Sequence, residues 1–291
     1  MRSPRIGFIG MGLMGVPMSL RLLQAGLPLC VWNRNPVKTQ SLQARGARVA
    51  ATLKELSAHS DFIFLCVSNT QAVEEVLLHS ELLGALRHGQ VVVDFSSIAP
   101  DASQHIASVL AEKGVSFVDA PVSGGVVGAE NGTLAIMAGG DAKLIETLHP
   151  VLLHLGARVT HMGPVGSGQI TKICNQILVS CNVLVMAEVM ALAERAGVNA
   201  ARIPDALKGG FADSIPLQVT GPRMANKDFE PVKWHVKTLL KDLDMAQALA
   251  RQMHSAVPMA GLGAQLMRLH ASQGFSDSDP STLVMQYEGK V

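Results

Sequence analysis

A chain of 291 residues, 48% of them apolar and only 16% charged, is too long for one average domain and too apolar to stay disordered. A formal net charge of +1, with no basic run carrying interleaved aromatics, argues against nucleic acid and against an anionic membrane surface as partners. Four cysteines without CxxC and ten histidines without HxxxH spacing give no metal-ligand pattern, so no metal is expected. Cys30 and Cys66 in strand-like runs, and Cys174 and Cys181 in a helical run, read as buried, reduced thiols.

Along the first half, short apolar runs alternate with amphipathic stretches. Strands are predicted at 5–9, 29–32, 62–67, 91–94, 116–119, 134–138 and 158–161. Helices are predicted between them at 13–25, 37–44, 53–59, 71–78, 102–113 and 142–153. Such alternation specifies βαβ units on a mostly parallel sheet, and strands apolar on both sides specify helices over both faces. A first strand starting at Arg5 leaves no room for a secretory leader, so a cytoplasmic location is expected.

After the glycine-rich loop 163–168 nothing strand-like persists. One long helix is predicted from 169 to 196, closed by Gly197, then helices at 201–207, 216–224, 232–253, 258–272 and 281–286. The expected fold is therefore α/β. An N-terminal Rossmann-type doubly wound sheet (residues 1–163) precedes an all-α C-terminal domain (residues 164–291), the two joined by the long interdomain helix. Its apolar run 177–193 contains Asn182 and Glu188 and reads as too short and too polar to span a membrane. Being apolar nearly all round, it reads as buried against partners, and a homodimer or homotetramer is expected.

Gly10, Gly12 and Gly15 fit GxGxxG after an apolar strand and at the opening of a helix, with Met11, Leu13 and Met14 between them. In a dinucleotide site the first glycine makes the tight turn, the second admits a pyrophosphate to the backbone and the third lets helix pack on strand. A glycine-rich turn of another α/β protein has the same spacing. The second strand then ends in Asn33-Arg34, where an acid would hold an adenine ribose. An amide removes the repulsion of a 2′-phosphate, and Arg34, with Lys38 nearby, offers cations to it. These residues favour NADP(H), with NAD(H) admissible if Arg34 is merely solvated. Val67-Ser68-Asn69 and Ser96 close the strands predicted at 62–67 and 91–94, at the carboxyl edge where such sheets bind ligands. Helix capping accounts for small polar residues there equally well.

Ser123-Gly124-Gly125 can expose consecutive N–H groups to a substrate carboxylate, or can be a plain loop. Lys172 stands one turn into the long, otherwise apolar helix, with Asn175 and Gln176 at i+3 and i+4 on the same face. Partial burial would lower its pKa from about 10.4 and suit it to general-acid work near neutrality. Snorkelling to solvent is the alternative.

The segments GFIGMGLMGVPM, DAPVSGGVVGAENGTLAIMAGGD, GSGQITKICNQ and LKDLDMA, in that order, resemble the β-hydroxyacid dehydrogenase family over essentially the whole chain. That family includes 3-hydroxyisobutyrate dehydrogenases, tartronate semialdehyde reductases and glyoxylate/succinic semialdehyde reductases. The resemblance implies that Lys172 is the acid/base, that Ser123, Gly124 and Gly125 hold the substrate carboxylate, and that Asn175 and Gln176 touch substrate. It further implies that Lys241 approaches the cofactor with Asp242 beside it, and that Ser96 supplies a cofactor-contacting hydroxyl. Asn175-Gln176, where many members carry Asn-Asn, is similar to the tartronate semialdehyde reductases. The implied activity is reversible reduction of a small carboxylate-bearing aldehyde, tartronate semialdehyde first, with 3-hydroxyisobutyrate or succinic semialdehyde/glyoxylate activity as alternatives. A non-catalytic nucleotide-binding scaffold is the alternative of another class, and a lysine retained at 172 argues against it. Substrate choice would depend on helical-domain side chains around Phe211, Phe229 and Trp234.

Overall fold

The computed structural model describes residues 3–287, and the chain forms two compact units, Met1–Lys172 and Ile173–Val291. In the first unit β1 (Ile6–Ile9), β2 (Leu29–Trp32), β3 (Arg48–Val49), β4 (Phe62–Leu65), β5 (Val91–Asp94) and β6 (Ser116–Asp119) lie in the order β3-β2-β1-β4-β5-β6, all parallel. Beyond β6, β8 (Leu134–Gly139) runs antiparallel; it pairs antiparallel with β7 (Val122–Ser123) and parallel with β9 (Gly156–Gly163). Chain order reverses between β1 and β4, the switch point at which an open sheet of this kind binds ligands beyond its carboxyl edge.

Strands α-linked through α1 (Gly15–Gln24), α2 (Gln40–Gln43), α3 (Leu53–Ala58), α4 (Thr70–Leu77), α5 (Ser80–Ala85), α6 (Pro100–Ala111), α7 (Gly125–Asn131) and α8 (Ala142–Leu152) explain why the strand sequences are apolar on both sides. One face packs Phe8, Met18, Leu22 and Phe64, the other Ile9, Ile63, Leu65 and Ile106. Phe8, Phe64 and Phe95 meet at centroid distances of 6.2, 6.3 and 5.2 Å, and Phe64 stands edge-on to both partners.

Several boundaries differ from the expectation. β4 stops at Leu65 rather than 67 because the Val67 N–H leaves the ladder and donates to Ser96 Oγ. The helix expected at 37–44 is a 3-10 turn, Pro36–Thr39, capped by Asn35 and followed by the single turn α2. β3, β7, α5 and α7 were not anticipated; each has two to seven residues, too few for a periodic signal.

α9 (Ser167–Arg195) continues from the first unit into the second, which contains α10 (Ile203–Leu207), α11 (Ile215–Asn226), α12 (Val236–Gln252) and α13 (Pro258–His270), and no strand among the described residues. The helix expected at 281–286 is 3-10, Pro280–Tyr287. Its start is organised by the buried Asp279, which accepts from Arg223 Nη1 at 2.8 Å, from the Lys233 N–H at 2.8 Å and from the Ser281 N–H at 3.0 Å.

α9 is not buried all round. Val183, Ala187 and Met190 sit in the core of the second unit, whereas Leu178 and Leu192 are 73% and 69% exposed. Contrary to the expectation, its full 29 residues are long and apolar enough to cross a membrane by length and composition, with a window of mean hydropathy 1.8. A core helix of a soluble protein meets the same two criteria. Cys174, expected to be buried, is exposed; Cys30 and Cys66 carry thiols that burial pushes up to about 11 and about 12.

Candidate active site

The three glycines of the first loop have three different reasons. Gly10 turns at φ +98°, and a Cβ there would lie 2.2 Å from the Cys66 carbonyl oxygen. At Gly15 a Cβ would lie 1.8 Å from the Gly10 carbonyl oxygen, so only glycine lets α1 close on β1. At Gly12 a Cβ would meet nothing within 4 Å. No protein atom requires that glycine, and the open space beside it is what a pyrophosphate against the backbone needs. α1 has no side-chain cap, its N-cap residue being Met14, so its first N–H groups suit an anion. Met11 is buried and Leu13 exposed. This loop thus fits the phosphates of a dinucleotide.

Asn33 is expected on the cofactor side as an amide that does not repel a 2′-phosphate, and the structure gives it a second job. Its Oδ1 accepts the Met11 N–H at 2.9 Å and its Nδ2 donates to the Asn35 carbonyl at 2.8 Å. An aspartate could make the first bond but has no donor for the second. Arg34, held out by this turn, has a side chain 91% exposed with Glu75 4.0 Å away.

At the ends of β4 and β5 the expected residues bond to one another. Ser96 is buried; its Oγ accepts the Val67 N–H at 2.9 Å and its own N–H donates to Asp94 Oδ1 at 2.9 Å. Asn69 caps α4, accepting the Ala72 N–H at 2.9 Å, and Ser68 is exposed beside it. Asp94 is fully buried, and burial pushes its carboxyl up to about 7. Sequence reasoning gave no role to Asp94, Asp119 or Gln169.

Ser123 ends β7. Gly124 and Gly125 follow at φ +131° and +62°, conformations that favour glycine, and lead into α7. Nearby in the sheet, Asp119 reaches the start of α9: Oδ1 accepts the Gly166 N–H at 2.7 Å and Oδ2 the Gln169 N–H at 2.9 Å. Burial raises the Asp119 pKa against the opposing pull of these N–H groups. Lys172, half-buried, follows Gln169 by one turn.

In the second unit four expected residues form one chain. Asn175 Nδ2 donates to Gln176 Oε1 at 2.8 Å, Gln176 Nε2 donates to Asp242 Oδ2 at 2.5 Å, and Lys241 Nζ lies 3.2 Å from Asp242 Oδ1. Asp242 is buried, so it fixes which way the Gln176 amide faces. Phe211 is fully exposed, and Phe229 and Trp234 pack against the helical core. An open depression of about 630 Å³ at the α12–α13 turn, lined by Gln247, Arg251, His254 and Pro258, contains none of these residues. Among the described residues no group of three His, Cys, Asp or Glu side chains could hold a metal ion.

Two family models match: the NAD binding domain of 6-phosphogluconate dehydrogenase over residues 5–163, and the NAD-binding domain of NADP-dependent 3-hydroxyisobutyrate dehydrogenase over residues 166–287. The chain is 38% identical over 285 residues to the 2-hydroxy-3-oxopropionate reductase of Escherichia coli, covering 98% of this chain and 97% of that one. It superposes on the Mycobacterium tuberculosis 3-hydroxyisobutyrate dehydrogenase with L-serine at a TM-score of 0.89 and 27% identity, over 99% of this chain and 100% of that one. It is likewise similar to Psf3 in complex with NADP+ and 2-OPP, at a TM-score of 0.86 and 26% identity over 97% and 100% of the two chains. With a sheet of order 3-2-1-4-5-6, a dinucleotide loop at its switch point, and relatives matched end to end, the chain belongs to the β-hydroxyacid dehydrogenase family of nicotinamide-dependent oxidoreductases.

Proposed function

We propose that this enzyme is an NADP(H)-preferring reductase of tartronate semialdehyde (2-hydroxy-3-oxopropionate), working reversibly with Lys172 as general acid and base. The observation that carries the reading is the lysine itself, in a GSGQITKICNQ segment that opens α9 and in a chain 38% identical to a 2-hydroxy-3-oxopropionate reductase. When bound, the nicotinamide supplies hydride-transfer chemistry. The protein supplies the proton: in reduction the Lys172 ammonium gives one to the oxygen that was the carbonyl, and in oxidation the neutral amine takes the hydroxyl proton. Ser123, Gly124 and Gly125 hold the substrate carboxylate, which restricts the aldehyde to one orientation. Asn175 and Gln176 carry the substrate contacts that the family assigns to them, with the Gln176 amide set by Asp242.

The NADP(H) preference is supported by the exposed Arg34 and by the amide, in place of an acid, at Asn33. A homodimer or homotetramer is supported by the exposed apolar positions Leu178, Val185 and Leu192, seven residues apart on α9.

Lys172→Ala tests the mechanism. Turnover should fall by several orders of magnitude with NADPH binding unchanged, and a variant that turned over normally would remove the lysine from the reaction. Loss of NADPH fluorescence against a panel of tartronate, succinic and methylmalonate semialdehydes and glyoxylate, run with both cofactors, tests the substrate. Equal kcat/KM for all four would refute the assignment of tartronate semialdehyde.

A further inference from the structure

α9 begins under two sets of constraints that the acid/base chemistry does not use directly. Asp119, at the end of β6, accepts the Gly166 and Gln169 N–H groups at 2.7 and 2.9 Å, so a carboxylate from the sheet satisfies the first turn of the helix. The approach is tight. A Cβ on Gly168 would lie 2.3 Å from the Met137 carbonyl oxygen, and one on Gly139 would lie 2.5 Å from Asp119 Oδ1.

The second set comes from Gln169, whose side chain is buried. Its Nε2 donates to the Ser96 carbonyl at 2.8 Å, and its Oε1 accepts the Ile98 N–H at 3.1 Å. Ser96 in turn accepts the Val67 N–H on its Oγ. One side chain therefore ties the start of α9 to the loop after β5, and through Ser96 to the loop after β4. Those two loops stand at the carboxyl edge of the sheet beside the dinucleotide turn.

Burying a glutamine costs desolvation of its amide that a methionine of similar length and rotamer freedom would not incur. What the amide adds is direction: one donor and one acceptor, each with one fixed backbone partner. Lys172 follows at i+3, on the same side of the helix.

We infer that Gln169 is a positioning residue, which sets the depth and rotation of the first turns of α9 against the strand-end loops and so fixes where Lys172 holds its proton. This rests on the reading of Lys172 as acid/base, and the test separates the two. Gln169→Met removes both bonds at nearly constant volume. Misplacement of a reacting group by about 1 Å can cost on the order of a hundredfold, so kcat should fall roughly ten- to a hundredfold while KM for the aldehyde changes less than about threefold.

Gln169→Glu gives a sharper signature. A protonated carboxyl offers the same donor and acceptor as the amide, whereas a carboxylate has no donor for the Ser96 carbonyl. Its kcat, measured well below its melting temperature, should rise at least about tenfold on acidification across the titration of the new carboxyl, relative to wild type. In the chain without cofactor, the rate at which an amine-reactive reagent modifies Lys172, followed by mass spectrometry, should change at least about threefold in both variants.

Wild-type kcat, pH profile and Lys172 reactivity in the Gln169 variants, alongside an inactive Lys172→Ala, would overturn the positioning role alone. Normal turnover by Lys172→Ala would overturn both. If Gln169→Met does not fold, the pH response of Gln169→Glu decides.

Discussion

Gly12→Ala should separate folding from cofactor binding, and the numbers come from the space around three glycines. A methyl at position 12 meets no atom within 4 Å, and the backbone there is outside the left-handed region. The folded chain loses nothing, and the unfolded chain loses freedom, so stability should stay level or rise by about 0.4–1 kcal/mol. Cofactor binding should respond in the other direction. A backbone N–H reaches a phosphate oxygen at about 2.9 Å, and a methyl interposed there displaces the ligand or the loop by something like 1 Å. Losing one or two hydrogen bonds to a charged group, at about 1.5–3 kcal/mol each, weakens NADPH binding roughly tenfold to about twenty-thousandfold. Gly15→Ala is the control, because its methyl would lie 1.8 Å from a backbone carbonyl that cannot swing away. It should cost about 1–3 kcal/mol or more. Thermal unfolding measures the first quantity and NADPH fluorescence titration the second. Wild-type NADPH affinity in Gly12→Ala would show that the space at Gly12 is not kept for the cofactor. A melting temperature several degrees lower in the same variant would show that the space is not open.

Arg34→Asp places a carboxylate where the 2′-phosphate is proposed to lie, and should raise KM for NADPH far more than for NADH; equal effects would make Arg34 a surface charge only. Asp94 sets a pH dependence of stability. Its carboxyl loses a proton near 3.8 in the unfolded chain but at about 7 in the folded one, so between these values only the unfolded state has released it. Stability should therefore be fully supported below 3.8 and fall as pH rises to 7, by at most about 4 kcal/mol. Asp94→Asn should flatten that slope in urea denaturation, and an unchanged slope would assign it to other groups. Asp279→Ala leaves Arg223, only 11% exposed, without its carboxylate, and should destabilise by about 3–5 kcal/mol. A loss below about 1 kcal/mol in urea would mean that Arg223 finds solvent instead.

What the sequence disclosed followed from repetition. Apolar runs at strand length, separated by helical periods, located β1, β2, β5 and β6 to within a residue, because a sheet covered on both faces leaves no polar position inside its strands. GxGxxG was readable because its spacing is fixed by a turn. The short elements β7 and α7 were not, since a run such as VSGGVVGAEN has no period long enough to register. Cys174 was misread because a helix that is apolar in composition still has an outer side once it packs against one core. Asp94, Asp119 and Gln169 left no signal for a different reason. A single aspartate ending a strand looks like any strand end, and what gives Asp119 its role is a pair of N–H groups 47 and 50 residues further along the chain.

The same contrast bears on how the dinucleotide side of the site works. Residues chosen as cofactor contacts from their type, Asn33, Asn69 and Ser96, direct side-chain oxygen at protein N–H groups of Met11, Ala72 and Val67. Each bond joins the end of one strand to the loop or helix that follows the same or a neighbouring strand. With their acceptors engaged in this way, the loops are held in place before a ligand arrives, and the ordering cost is met in folding rather than in binding. Substitutions at these three positions should then act through loop geometry. Asn33→Asp is the informative one: it keeps the acceptor for Met11 but opposes a carboxylate to the Asn35 carbonyl, so it disturbs the turn that presents Arg34 even before the added charge meets a phosphate.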